Sequence, residues 1–189
     1  MPAVRPWMLC TLLVSPLLSR AQAYFQQSVD YRISVRLNDA TSELSAQEEF
    51  DYTNNSPRAL DTLWIHLWPN AYRDRNTALC RQKDSQGHFN LHFAKPEERG
   101  FIDSLDFTGD GQKLAWGLEP DNPDIAWLAL PKAIGTGEKI TIATPFQVKV
   151  PDARFSRLGH TGQAYYITQW YPKPAVEDNS GWHAMPFLE

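Results

Sequence analysis

The sequence predicts an all-β fold, an antiparallel β-sandwich, on three observations. Period-two alternation of apolar and polar residues recurs along most of the chain. Turn residues punctuate these runs at short intervals. Only residues 72–83 read as a helix, and that one is short. Many short alternating segments without long helices are the pattern of two packed antiparallel sheets.

The elements follow in order. Val29, Tyr31, Ile33, Val35 and Leu37 alternate with polar residues, as in a strand with one wet face. Asn38-Asp39 turns the chain into Leu44 to Tyr52, where Phe50 and Tyr52 should point inward and Glu49 and Asp51 outward. Together these two segments read as a β-hairpin. Asn54-Asn55-Ser56-Pro57 makes the next turn and also matches a glycosylation sequon. Leu63 to Trp68 is apolar on both faces, which places it centrally or under a second cover. Residues 84–100 are polar and read as an excursion. Strands are then expected at Phe101 to Phe107, after the Gly109-Asp110-Gly111 turn, at Ile125 to Leu130, at Lys139 to Val150 and at residues 164–170. Pro145 suggests an edge position or a bulge.

The first residues read as an export signal. Arg5 precedes an apolar run from Trp7 to Leu18, and Ala21-Gln22-Ala23 is a small-residue cleavage pattern. Cleavage after Ala23 would start the mature domain at Tyr24, with a secreted or periplasmic destination. The formal net charge is −4, and the signal carries two arginines and no acids, so the mature domain is more acidic still. That balance argues against nucleic acid and against anionic membrane surfaces as partners. Of two cysteines only Cys80 would remain, so no internal disulfide is available.

No catalytic constellation is evident. There is no G-x-S-x-G elbow, no P-loop and no dinucleotide-binding glycine pattern. His88 and His92 have the spacing of a zinc helix, but Phe89 stands where a general base is needed, and the segment alternates like a strand. Along a strand the two imidazoles would be about 13 Å apart, too far to share a metal. His66, between Trp64 and Trp68, reads as a packed imidazole with a hydrogen bond. Cys80 has Arg75, Arg81 and Lys83 nearby, which would lower its pKa, but it reads as a half-buried structural thiol. Glu48, Glu49 and Asp51 read as a solvated face. The aromatic tail stands out: Tyr165, Tyr166, Trp170, Tyr171 and Trp182 lie among Pro172 and Pro174. These prolines argue against strand pairing there. The rings could stack on a sugar or peptide, cover another domain, or pack in the core with the last strand. Covering another domain is the favoured reading, because rings that cannot join a ladder need other partners.

Several segments then carry a resemblance. Y-R-I-S-V-R-L-N-D, D-Y-T-N-N-S-P, L-W-I-H-L-W-P-N-A-Y, R-G-F-I-D-S-L-D-F, Y-Y-I-T-Q-W-Y-P-K-P-A-V and G-W-H-A-M-P occur in this order. Over nearly the whole mature chain the sequence resembles the N-terminal domain of bacterial gluzincin metallopeptidases of the aminopeptidase N type. The resemblance implies a saddle-like antiparallel β-sandwich packed on a thermolysin-like zinc domain. The family's H-E-x-x-H and G-x-M-E-N motifs do not occur here. It therefore implies no metal or cofactor in this chain, zinc in an absent catalytic domain, a chain truncated before that domain, and inactivity of the chain alone. It also implies peptide as the substrate. Gln169, after Thr168, matches the place where the family holds the substrate's N-terminal amine. The alternative is a stand-alone module that binds glycan or peptide through Trp170, Tyr171 and Trp182.

Overall fold

The structure, a computed structural model, describes residues 25–189. The export signal and the start at Tyr24 lie outside the described residues. Two antiparallel sheets enclose one core, so the chain is an all-β sandwich.

The first sheet begins with β1 (Ser28–Asn38) and β2 (Glu43–Thr53), paired over their full length from Ser28↔Thr53 to Asn38↔Glu43. Their alternation sets the register, since a slip of one residue would turn Phe50 and Tyr52 to solvent. The second sheet begins with β3 (Leu60–His66). The 3-10 turn Trp68–Tyr72 and helix α1 (Ala78–Ser85) follow, then the short strands β4 (Phe101–Asp103), β5 (Thr108–Gly109), β6 (Gln112–Lys113) and β7 (Ala115–Glu119). The long strands β8 (Asn122–Ile134) and β9 (Lys139–Lys149) complete the two sheets. Two-residue and three-residue strands finish the chain: β10 (Gly159–Thr161), β11 (Ala164–Tyr166), β12 (Lys173–Pro174), β13 (Glu177–Asp178) and β14 (Gly181–Trp182). The first sheet runs β1-β2-β9-β5-β6, with β4 also on β9, and the second runs β12-β3-β8-β7. β10 pairs with β11 and β13 with β14.

The core forms where the inner faces meet. Phe50 and Tyr52 of β2 and Ile142, Phe146 and Val148 of β9 face Leu63 and Ile65 of β3 and Ala126 and Leu128 of β8. β3 lies between β8 and β12, as its two-faced apolar sequence requires.

Several expectations are corrected. Pro145 lies in a central strand, not at an edge. On one side it faces Gln47 of β2, and on the other β9 changes neighbour between β4 and β5, so no ladder is interrupted there. The helix starts at Ala78 rather than residue 72, because Thr77 caps it by accepting from the Cys80 N–H at 3.3 Å. The strand expected over Phe101 to Phe107 ends at Asp103, where Ser104 adopts a φ of 57°. His88 to His92 is a turn, not a strand. Asn54 is buried and is no free glycosylation acceptor in the folded domain. Its Nδ2 donates to the Arg58 and Ile134 carbonyls at 2.7 and 2.9 Å, and its Oδ1 accepts from the Ser56 N–H at 2.9 Å.

Candidate functional site

The path of the tail determines where Gln169 lies. The β10–β11 hairpin is seated by Gly159, where a Cβ would come within 2.4 Å of the Ala153 Cα. Tyr165 ties the hairpin to the first turn of the domain through its hydroxyl, which donates to the Asp39 carbonyl at 3.2 Å. Regular pairing stops at Tyr166, not at Trp170 as the alternation suggests. Gln169 has a φ of 54°, a left-handed conformation that breaks the extended run. After it the chain turns onto β3.

Pro172 and Pro174 do not prevent that pairing. Lys173 pairs with His66 and Pro174 with Ile65, and the Ala175 N–H donates to the Trp64 carbonyl at 2.7 Å. β12 is an edge strand, where a residue without an N–H is tolerated.

This register assembles a polar cluster. The Lys173 ammonium donates to the Gln169 Oε1 and stands 3.6 Å from the centroid of the Trp68 ring. His66 stacks on Trp68 at 4.7 Å and 22°. The imidazole is buried and packed, with a hydrogen bond to the His183 backbone as the sequence suggests, and its Nε2 has no partner. Burial, followed by the Lys173 charge, lowers the His66 pKa to about 4, against a smaller upward pull from the His183 backbone. Burial also lowers Lys173 to about 8. The Trp68 indole N–H faces the Met185 carbonyl at 3.4 Å, and Phe187 packs on Trp68 with ring centroids 5.5 Å apart. The last residues thus close over the same turn.

The tail aromatics pack on this chain's own core. Trp170 lies 5.8 Å from Phe146, Tyr171 lies 5.4 Å from Tyr31, and Trp182 stacks over Tyr52 at 6.3 Å. All three are half-buried. The idea that these rings chiefly cover another domain is corrected accordingly. The large apolar side chains of the tail that remain exposed are Tyr166, Val176, Met185 and Leu188.

One residue was misplaced by its type. Glu48 belongs to no solvated face: it is fully buried, and neither carboxylate oxygen has a hydrogen-bond partner. It lies opposite Ile33 and Thr144, under the layer that holds Tyr31 and Tyr171. Burial raises its pKa to about 8. Period two already put it in step with Phe50 and Tyr52, so the signal was present. Cys80 is likewise fully buried, and burial raises its pKa despite the neighbouring cations.

A cleft of about 450 Å³ is lined by Asn70, Arg73, Phe101, Trp116 and Leu118 among others, and no tail residue lines it. No helix among the described residues is long and apolar enough to cross a membrane. No family model and no characterised protein matches the chain.

Proposed function

We propose that this sandwich is the non-catalytic N-terminal domain of an exported zinc aminopeptidase-like metallopeptidase. It supports a catalytic domain and helps hold the N-terminus of a peptide substrate through Gln169. The observation that carries this reading is the environment of Gln169. Its amide oxygen accepts from an ammonium group, that of Lys173, at a left-handed turn fixed between a hairpin and an edge strand. An amide oxygen has two lone pairs, so a second ammonium, the substrate's, can share it. The resemblance across six segments supplies the family, and the sandwich agrees with the architecture that resemblance implies.

Zinc in this reading belongs to the other domain, where it would activate water with a Glu base. The Gln169 cluster itself is unsuited to a metal. Lys173 is a cation without a lone pair at neutral pH, and the one neutral imidazole is buried. What this chain contributes is position. The Lys173 ammonium and the Trp68 ring hold the Gln169 oxygen, and the half-buried aromatics keep the turn in place.

The test is an assay on aminoacyl chromogenic substrates. The purified chain should show no turnover with or without added zinc. In a protein that joins this domain to its catalytic domain, Gln169→Ala should raise KM for substrates with a free amine. Turnover by this chain alone, or an unchanged KM, would overturn the reading.

A further inference from the structure

A separate cluster lies on the opposite chemistry, in α1 and the segment after it. Cys80 and Asp84 are four residues apart and therefore share one face of the helix. The chain reverses at Gly87, which has a φ of 81°, and the His88 N–H donates to the Lys83 carbonyl at 2.8 Å. Leu91 is buried and anchors the returning turn. His92 is thereby brought against the helix, with its Nδ1 2.8 Å from the Asp84 Oδ2.

One donor atom each from Cys80, Asp84 and His92 lies within 4.8 Å of the other two. This is the one such group found among the described residues. Two further observations set it apart from an ordinary surface pair. The second oxygen of Asp84 is buried without a partner, and the Nη2 of Arg99 donates to the His92 carbonyl at 3.2 Å, which fixes the turn that carries the imidazole. An open cleft of about 460 Å³, lined by Asp74, Asn76, His92 and Arg99 among others, leads to the imidazole.

We propose that Cys80, Asp84 and His92 form a zinc site that staples α1 to the segment returning through His92. A thiolate, an imidazole and a carboxylate are the donors zinc takes, and three protein ligands leave a fourth position for water. Closing the site needs side-chain rotations only, because ligand atoms around one tetrahedral zinc lie roughly 3–4 Å apart. The ion takes the place of the hydrogen bond between His92 and Asp84 and satisfies the orphaned oxygen. Cys80 gives its proton to solvent as it binds, and the two anionic ligands balance the ion's charge. The site is independent of the Gln169 reading and of the zinc expected in another domain. In a chain where no internal disulfide is expected, it supplies a cross-link of another kind.

The experiment uses the purified chain with Cys10→Ala, so that Cys80 is its one thiol, freed of metal with a chelator. Cobalt(II) is titrated as a spectroscopic probe and zinc by calorimetry. A thiolate-to-cobalt charge-transfer band and one equivalent of zinc are expected. The band should vanish in Cys80→Ser. Zinc affinity should fall at least tenfold in His92→Ala, whose imidazole is partly exposed, and stay unchanged in His88→Ala. Should Cys80→Ser fail to fold, the His92→Ala and His88→Ala pair still decides. The absence of a thiolate band, or zinc binding insensitive to His92→Ala, would overturn the site and mark any bound metal as an adventitious ion only.

Discussion

Glu48 and His66 are buried ionisable groups with orphaned polar atoms, and they pull stability in opposite directions with pH. Glu48 has its folded pKa raised from 4.5 to about 8. Between those values the unfolded chain is ionised and the folded chain is not, so the stability present below pH 4.5 is lost as pH rises to about 8. His66 has its folded pKa lowered from 6.5 to about 4. The stability it allows above pH 6.5 is lost as pH falls to about 4. Replacing Glu48 by Met should therefore stabilise the domain by about 1–3 kcal/mol at pH 8, the cost of an unsatisfied buried polar group. It should also flatten the alkaline limb of a Tm-against-pH curve. A limb unchanged in Glu48→Met would contradict the assignment. Gln169 acts at the same scale. One charge-assisted hydrogen bond is worth about 1.5–3 kcal/mol, so in the proposed peptidase Gln169→Ala should lower kcat/KM by about 10-fold to 100-fold. Gln169→Glu should retain most of it.

At the level of elements, the tail is part of the sandwich and not an appendage. β12 extends the second sheet, Trp170 and Tyr171 pack toward the first sheet, and Phe187 closes over the turn at Trp68. Trp170→Ala should thus destabilise the fold by about 2–4 kcal/mol, measured by urea unfolding, whether or not a ligand is present. A folded, equally stable Trp170→Ala that lost glycan or peptide binding would instead favour a binding module. Alternation made the long strands legible: β1, β2 and β9 lie close to where Val29 to Leu37, Leu44 to Tyr52 and Lys139 to Val150 place them. It also contained the burial of Glu48, which its charge concealed. What could not be read was pairing between distant segments. Pro174 on Ile65 and Lys173 beside Trp68 depend on how the tail folds back, and local sequence carries no trace of that. The Cys80, Asp84 and His92 cluster was hidden for the same reason, since His88 and His92 were paired by spacing while the fold joins His92 to the helix.

For the whole molecule, the acidic balance and the open apolar side chains matter together. Val35 is 48%, Val176 63% and Met185 61% exposed. Exposed apolar side chains mark a covered face only where they adjoin one another in a patch, and the proposed partner domain requires such a face. The isolated chain should then self-associate with rising concentration, and a monodisperse monomer by light scattering at high concentration would count against a covered face. The central claim, a substrate-positioning domain of a larger zinc peptidase, meets its most direct measurement in the gene itself. Reading the frame past the codon for Glu189 should reveal an H-E-x-x-H motif followed by a Glu ligand within the next few hundred codons. A stop codon directly after Glu189 would contradict it.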